Sequence, residues 1–302
     1  MINLPSGIDK KKLIDDLRAF SWEASDTLLY YAQILKDANN KSNIISNNNF
    51  EDPVTLADLK VNEIIIRKIR ENYKNVDWEI LSEENVKTDL DNSFINSDWV
   101  WVLDPLDGTK DFIQGTGNYA MHLALNYKNM PYLGIVLIPE KDELWISDGE
   151  ESWCEKRNGS KFIPLLSKKK SLQKMVLVTS KNHNNQTLRK LIQKINFSEV
   201  LIMGSIGCKI ASILRSESDI YISLSLPGKS SPKDWDFAAP EVLLRNAGGA
   251  ITNLDNQNLS YGNPCFEQGG ILVATNNRLL HESTCVQIKE IIQRYNIYPF
   301  SS

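Results

Sequence analysis

Apolar residues recur at helical spacing from about residue 8 to 37, through Leu13, Leu17, Phe20, Ala24, Leu28, Tyr31 and Leu35. That period predicts a long amphipathic helix. An Asn-rich polar stretch over 39–49 interrupts it and reads as a mobile loop, too short for a domain linker. A second helical period over 56–73 buries Leu59, Ile65, Ile66 and Ile69. Short apolar runs then take over. Residues 78–81 form one, and the unbroken run Trp99-Val100-Trp101-Val102-Leu103 reads as a central strand buried on both faces. Residues 119–126, 132–138 and 143–147 read as antiparallel strands, joined by turns at Asn129-Met130-Pro131 and Pro139-Glu140-Lys141-Asp142.

Around 158–170 the chain becomes Lys-rich and polar, which marks a candidate boundary between 1–165 and 166–302. Beyond it strands at 175–179, 200–203, 219–224, 250–252 and 270–274 alternate with helices at 186–195, 206–214, 234–246 and 277–294. The pattern is an α+β half followed by an α/β half, without an internal repeat.

Composition narrows this only slightly. The 302 residues are 42% hydrophobic and 24% charged, as expected of a globular chain with a substantial core. A net charge of −4 leaves no basic footprint for nucleic acid. No run approaches about 18 apolar residues, so no membrane span is expected, and Met1-Ile2-Asn3-Leu4-Pro5 is not a signal-peptide pattern. Cys154, Cys208, Cys265 and Cys285 are scattered without a C-x-x-C pair, so reduced thiols in a cytoplasmic protein are the expectation. The histidines, His122, His183 and His281, are too dispersed for a clustered His/Cys zinc site. Any metal here is a hard one held by oxygen.

The segment Asp104-Pro105-Leu106-Asp107-Gly108-Thr109-Lys110-Asp111 follows the buried strand directly, and so lies at a strand's carboxyl end. Pro105 and Gly108 impose a tight turn that can bring the Asp104 and Asp107 carboxylates together with the Leu106 carbonyl between them. Three hard oxygens within four residues suit Mg²⁺. The amides of Gly108 and Thr109 point at an anion if a helix begins there. An ordinary Asp-Gly turn with a helix cap explains the same residues without a metal. Glu83-Glu84 ends the strand at 80–81 and can face the same cleft, or be a solvated turn. Asp236, in Trp235-Asp236-Phe237-Ala238-Ala239, opens a helix, where an acid also serves the dipole. Asp58 stands three residues after Thr55, which is capping-box spacing.

Two other signals carry no function. Gly115-Thr116-Gly117-Asn118-Tyr119-Ala120 has dinucleotide-fingerprint spacing, but a turn precedes it and an alternating strand follows, the reverse of what that motif needs. The seven tryptophans, Trp99 and Trp101 among them, read as core and not as a stacking platform.

Asp-Pro-Val-Thr-x-x-Asp (52–58), Leu-Ser-Glu-Glu (81–84), Asp-Pro-Leu-Asp-Gly-Thr (104–109) and Trp-Asp-x-Ala-Ala (235–239) together resemble the inositol monophosphatase-like superfamily of Mg²⁺-dependent, lithium-sensitive phosphatases, over roughly residues 10 to 290. The resemblance implies a layered αβαβα sandwich. It further implies that Glu83, Asp104 and the Leu106 carbonyl hold a first Mg²⁺ and that Asp104, Asp107 and Asp236 hold a second, with a third allowed. Thr109, bonded to Asp58, would orient and deprotonate the attacking water, and Gly108 and Thr109 would hold the phosphate. Glu83, Leu106, Asp107 and Asp236 thereby also border the substrate.

After that threonine, Lys110-Asp111-Phe112 resembles the 3′(2′),5′-bisphosphate nucleotidases of the CysQ type more than inositol phosphatases. Gly204-Ser205-Ile206-Gly207-Cys208-Lys209 is similar to the segment that grips the second phosphate in those enzymes, making Ser205 and Lys209 substrate-binding candidates with Lys110. Lys229 and Lys233 are further loop cations, or simply solvated ones. The implied substrate is a small phosphorylated nucleotide, adenosine 3′,5′-bisphosphate (PAP), hydrolysed to AMP and phosphate within sulfur metabolism, with its sulfated relative PAPS as a further candidate. Inositol monophosphate and sugar bisphosphates are the alternative substrates, and a catalytically silent nucleotide-phosphate sensor is the alternative of another class. The resemblance also allows a homodimer.

Overall fold

Alternation along the strands decides which layers they separate. In β4 (Trp99–Asp107) the side chains of Trp99, Trp101 and Leu103 join one buried cluster, while Val100 and Val102 join another. The computed structural model, which describes residues 4–36, 45–47, 54–88, 97–165, 167–180 and 186–299, extends this division through the whole chain.

In chain order the described elements are α1 (Lys10–Leu35), the pair β1 (Ile45–Asn47) and β2 (Val54–Thr55), α2 (Leu56–Asn72), β3 (Glu79–Ser82), α3 (Glu83–Thr88) and β4. Then come α4 (Thr109–Gln114), β5 (Ala120–Tyr127), β6 (Met130–Ile138), β7 (Glu143–Ser147), β8 (Ser152–Glu155) and β9 (Lys161–Phe162). The remainder is β10 (Val176–Thr179), α5 (Gln186–Ile195), β11 (Glu199–Ile202), α6 (Ile206–Leu214), β12 (Ile220–Leu224), α7 (Asp234–Asn246), β13 (Ala250–Asn253), β14 (Ile271–Thr275) and α8 (Arg278–Arg294).

Strands β3 to β9 form a seven-stranded sheet in sequence order, and β11-β10-β12-β14-β13 a five-stranded one. The first cluster packs α1 and α2 against one face of the large sheet, through Leu17, Leu28, Ile65 and Trp101. The second lies between the sheets and contains α6 and α7, with Ile210, Phe237 and Ala239 against Val102, Ala124, Tyr221 and Leu272. The third packs α5 and α8 on the outer face of the small sheet, where Leu188 and Ile288 meet Ile222 and Val273. The result is an αβαβα sandwich in which central strands are apolar on both faces because both faces are covered. Each large apolar side chain so buried contributes roughly 1.5–3 kcal/mol.

Local chemistry explains the element boundaries. Asp9 caps α1 by accepting from the Lys12 amide, and Thr55 caps α2 in a reciprocal box with Asp58. Three details differ from the sequence reading. Leu59 is 41% exposed, because the buried stripe of α2 runs through Ala57, Val61, Ile65 and Ile69, and Leu59 lies off it. The β5–β6 turn is Lys128-Asn129, both at positive φ, so Met130 and Pro131 already pair with Tyr127 and Asn126. Two-residue turns with that handedness match strand twist. The hairpin β8–β9 falls partly in the Lys-rich stretch, which supplies its turn and edge strand. The Asn-rich stretch (apart from β1), residues 52–53 of the first motif and His183 lie outside the described residues. Among the described residues no helix is long and apolar enough to cross a membrane, and the four cysteines are free.

Two features place the site. Asp104 pairs with His122 and Asp107 with Ala120, so β4 carries one extra residue against β5 at Pro105-Leu106. Positions three apart normally face opposite sides of a strand, and this bulge turns both aspartates to the same side. Gly134 in β6 lets α7 approach the sheet, since a Cβ there would stand 2.3 Å from Val242 Cγ1 and 3.1 Å from the Ala239 carbonyl. Gly134→Ala therefore overpacks this contact and should cost about 1–3 kcal/mol, read as a lower urea midpoint at unchanged slope. Adding Val242→Ala should recover part of that loss. An unchanged midpoint for Gly134→Ala would show that α7 does not depend on close approach here.

Candidate active site

The bulge leaves Asp104 and Asp107 side by side at the end of β4, almost fully buried at 1% and 8% exposure. Asp104 Oδ1 accepts from the Leu106 amide at 3.0 Å, which closes the turn. Asp107 Oδ2 accepts from Ser205 Oγ at 2.6 Å and from the amides of Ile206 (2.5 Å) and Gly207 (3.2 Å), the N-terminal turn of α6. A carboxylate is stabilised there by unsatisfied N–H groups and the helix dipole. Asp236 stands in the first turn of α7, where its Oδ2 accepts from the Lys233 amide at 2.6 Å. Carboxylate oxygens of Asp104, Asp107 and Asp236 lie within 4.8 Å of one another. Glu83 joins them because β3 runs parallel to β4 and ends at the same level; its carboxyl is hydrogen-bonded to that of Asp104.

Like charges in a desolvated space resist ionisation. Burial, reinforced by Glu83, Asp107 and Asp236, holds the Asp104 carboxyl well above the usual carboxylate range. Burial does the same for Asp236, with Asp107 and Glu83 adding to it. Burial also raises Glu83, against the pull of Lys87 at 3.0 Å. A cluster of hard anionic oxygens with this much unspent repulsion fits a divalent cation such as Mg²⁺, which binds through carboxylates and carbonyls.

Asp58 is 2% exposed, and its Oδ2 accepts from the Thr55 amide (2.8 Å) and hydroxyl (2.5 Å). Its Oδ1 lies 3.3 Å from Thr109 Oγ1, which is also 3.1 Å from the Leu106 carbonyl. Burial, with the nearby charges of Glu84 and Glu83, pushes Asp58 up to about 7, while its bonds to Thr55 oppose the shift. Gly108 sits at φ +87° at the start of α4, where a Cβ would stand 2.9 Å from the Asn118 carbonyl. Only glycine takes that conformation there without strain.

The other expected substrate residues divide by depth. Lys110 is partly exposed in α4. Ser205 Oγ is spent on Asp107 and on capping α6 through the Cys208 amide at 3.1 Å. Lys209 is fully buried behind Asp107, where Nζ donates to the Gly204 carbonyl at 2.6 Å and lies over the Tyr221 ring. Burial lowers its pKa to about 8, opposed first by Asp107. Lys233 Nζ pairs with Glu267 at 3.1 Å, whereas Lys229 is exposed. The segment at Gly115 follows α4 and leads into β5, an arrangement without the strand-to-helix step of a dinucleotide site. Sequence reasoning missed His122 and the Ile206 and Gly207 amides, whose roles follow only from strand register and the placement of α6.

Comparisons with known proteins bear on the family and the fold. The profile of the inositol monophosphatase family matches residues 9–293. A protein of Buchnera aphidicola named 3′(2′),5′-bisphosphate nucleotidase CysQ is 30% identical over 211 residues, 69% of this chain and 74% of its own. A Dictyostelium discoideum protein named 3′(2′),5′-bisphosphate nucleotidase is 29% identical over 268 residues, 80% of this chain and 78% of its own. In fold, the crystal structure of inositol monophosphatase II from Staphylococcus aureus superposes with a TM-score of 0.67 at 22% identity, covering 96% of this chain and all of that one.

The raised carboxyls give a thermodynamic prediction. Protons held by Asp104, Asp236 and Glu83 compete with a cation, so cation affinity rises as they are removed. The gain in thermal stability from a fixed millimolar Mg²⁺ concentration should therefore grow between pH 5.5 and pH 8, on the order of 2–3 kcal/mol if the ion reaches about 100 times its Kd. Asp236→Asn keeps an oxygen for the Lys233 amide and should lose most of this gain. A gain independent of pH, or intact in that variant, would place cation binding elsewhere.

Proposed function

The chain belongs to the inositol monophosphatase family, and we propose that it is a Mg²⁺-dependent phosphomonoesterase that removes the 3′-phosphate of PAP, giving AMP and phosphate. One observation carries the hydrolytic reading: the Asp58–Thr109 pair borders the buried carboxylates of Asp104 and Asp107. A phosphate monoester resists attack because its own anionic oxygens repel a nucleophile, and this acidic wall adds to the repulsion. Glu83, Asp104, the Leu106 carbonyl, Asp107 and Asp236 would hold two or three Mg²⁺. Bound there, the ions would neutralise the phosphate, acidify a water and stabilise the leaving alkoxide.

The chain's own part is orientation and proton transfer. The Thr109 hydroxyl has one proton and two acceptors in reach, Asp58 Oδ1 and the Leu106 carbonyl. Donated to Asp58, that proton leaves the lone pairs of Oγ1 free to receive another from the attacking water. Asp58 is suited to take it, because burial brings its affinity for protons close to neutrality. Gly108 and Thr109 present the amides that open α4 to the phosphate. Ligands from residues 1–165 thus meet Asp236 from 166–302, and the substrate is held where the two parts meet.

The preference for a nucleotide rests on Thr109-Lys110-Asp111-Phe112 and on the likeness to relatives named 3′(2′),5′-bisphosphate nucleotidase. On this reading Lys110, partly exposed in α4, meets a phosphate arriving from solution. Ser205 and Lys209 support the reading from behind, by holding Asp107 and its surrounding charge. PAPS is a second substrate on the same contacts, lithium is an expected inhibitor at a cation position, and a cytoplasmic role in sulfur metabolism belongs to the same reading.

The test is phosphate release from PAP, inositol 1-phosphate and fructose 1,6-bisphosphate, each with Mg²⁺, with EDTA, and with Mg²⁺ plus lithium. PAP should lead by about tenfold or more in kcat/KM, which is about 1.4 kcal/mol of transition-state discrimination. Thr109→Ala and Asp58→Asn should each lower kcat by about 10²–10⁴-fold. Inositol phosphate leading would overturn the substrate. Absence of Mg²⁺-dependent release from all three would overturn the hydrolase and favour a sensor.

A further inference from the structure

The imidazole of His122 is fully buried, and no hydrogen bond among the described residues satisfies its Nε2. It lies on β5 directly opposite Asp104, on the face of the sheet that looks toward α6 and α7. Its Nδ1 is 3.3 Å from the carbonyl oxygen of Trp235, the residue before Asp236. Its Nε2 is 3.2 Å from Asp107 Oδ2, but off the line of a hydrogen bond. On the third side it abuts Gly207, where a Cβ would stand 2.3 Å from Nε2. The ring therefore touches the strand end that carries Asp107, the α6 turn whose amides hold Asp107, and the α7 turn that carries Asp236.

We infer that His122 is a positioning residue that fixes the first turn of α7 against Asp107 and so sets the spacing of the carboxylates that face a divalent cation. The Trp235 carbonyl oxygen can only accept, so with the ring proton on Nδ1 this 3.3 Å contact is a hydrogen bond that ties the α7 turn to β5. Asp107 Oδ2 is enclosed by this ring, Ser205 Oγ and two amides, which leaves Oδ1 as the oxygen available to a cation. Asp107 and Asp236 belong to elements far apart in the chain, and the imidazole bridges them where a gap would let either shift. Groups that orient cation ligands in this way are commonly worth 10–100-fold in affinity.

The inference rests on the cation reading above, and its test reads binding instead of turnover. Mg²⁺ affinity of the full chain is measured by calorimetric titration beside the melting temperature of the metal-free protein, for wild type, His122→Leu, His122→Asn and His122→Gln. Leucine fills space without a donor and should raise the Mg²⁺ Kd by about 10–100-fold. Asparagine can place its amide nitrogen near the position of Nδ1 and should stay within about threefold of wild type. Both variants should lose some metal-free stability, so a merely structural histidine would show matched melting losses and an unchanged Kd. A wild-type Kd in His122→Leu would overturn the inference. Should that variant not fold, glutamine, whose amide overshoots the Nδ1 position, decides against asparagine, and equal affinities of those two would overturn it. Failure of the wild-type chain to bind Mg²⁺ would overturn the cation reading and this inference with it.

Discussion

Crowding of carboxylates in a space with little water is the constraint on which the rest of this structure depends. Asp104, Asp107 and Asp236 place oxygens within 4.8 Å of one another, and Glu83 is bonded to Asp104. Left alone, such a group would hold protons or spread apart. The fold prevents the second with fixed contacts and leaves the first in place, since Asp104, Asp236 and Glu83 all hold protons more tightly than free carboxyls. The first turn of α6 binds Asp107, the first turn of α7 carries Asp236, and the bulge at Pro105-Leu106 sets Asp104 beside Asp107. The remaining unneutralised charge is what a divalent cation relieves.

The five layers serve that arrangement. Helices α6 and α7 form the middle layer, covered by a sheet on each side, so their first turns are held by packing on two faces. Phe237, next to Asp236, and Ala239, nearly a turn further on, anchor α7, and the absence of a side chain at Gly134 brings that helix onto β6. The distance between Asp236 and the strand-borne aspartates is thus set by core packing. That core is stiff, because close-packed interiors transmit small changes of volume.

How much of this was legible in the sequence depends on how local the cause is. The unbroken run at 99–103, the helical periods of α1 and α2 and the capping pair Thr55–Asp58 depend on neighbours in the chain, and they could be read from residues alone. Leu59 was misjudged because two apolar stripes compete on α2 and only the packing of α1 decides between them. The β8–β9 hairpin escaped the pattern because its strands are only four and two residues long and the outer one, β9, is exposed. The four acidic elements could be brought together on paper only through their resemblance to a family, since nothing local joins Asp236 to Asp104. His122 had no signal at all. It is one histidine among apolar residues until the bulge fixes which residue it faces.

Several of the acidic residues had a modest explanation beside the chemical one, a cap or a closed turn, and the structure makes the two compatible. Asp58 gives Oδ2 to Thr55 and directs Oδ1 at Thr109. Asp107 gives Oδ2 to the α6 turn, Asp236 gives Oδ2 to the Lys233 amide, and Asp104 gives Oδ1 to the Leu106 amide. In each case one oxygen is anchored to backbone. This anchoring has a physical reason. A carboxylate anchored through one oxygen has lost its rotamer freedom before any ligand arrives, so the entropy of ordering it is met in folding and not in binding. The same bonds orient it, as the second shell of a cation site must. Capping and cation binding are therefore two uses of one side chain, and short polar residues at helix starts can serve both because a cap needs only one acceptor.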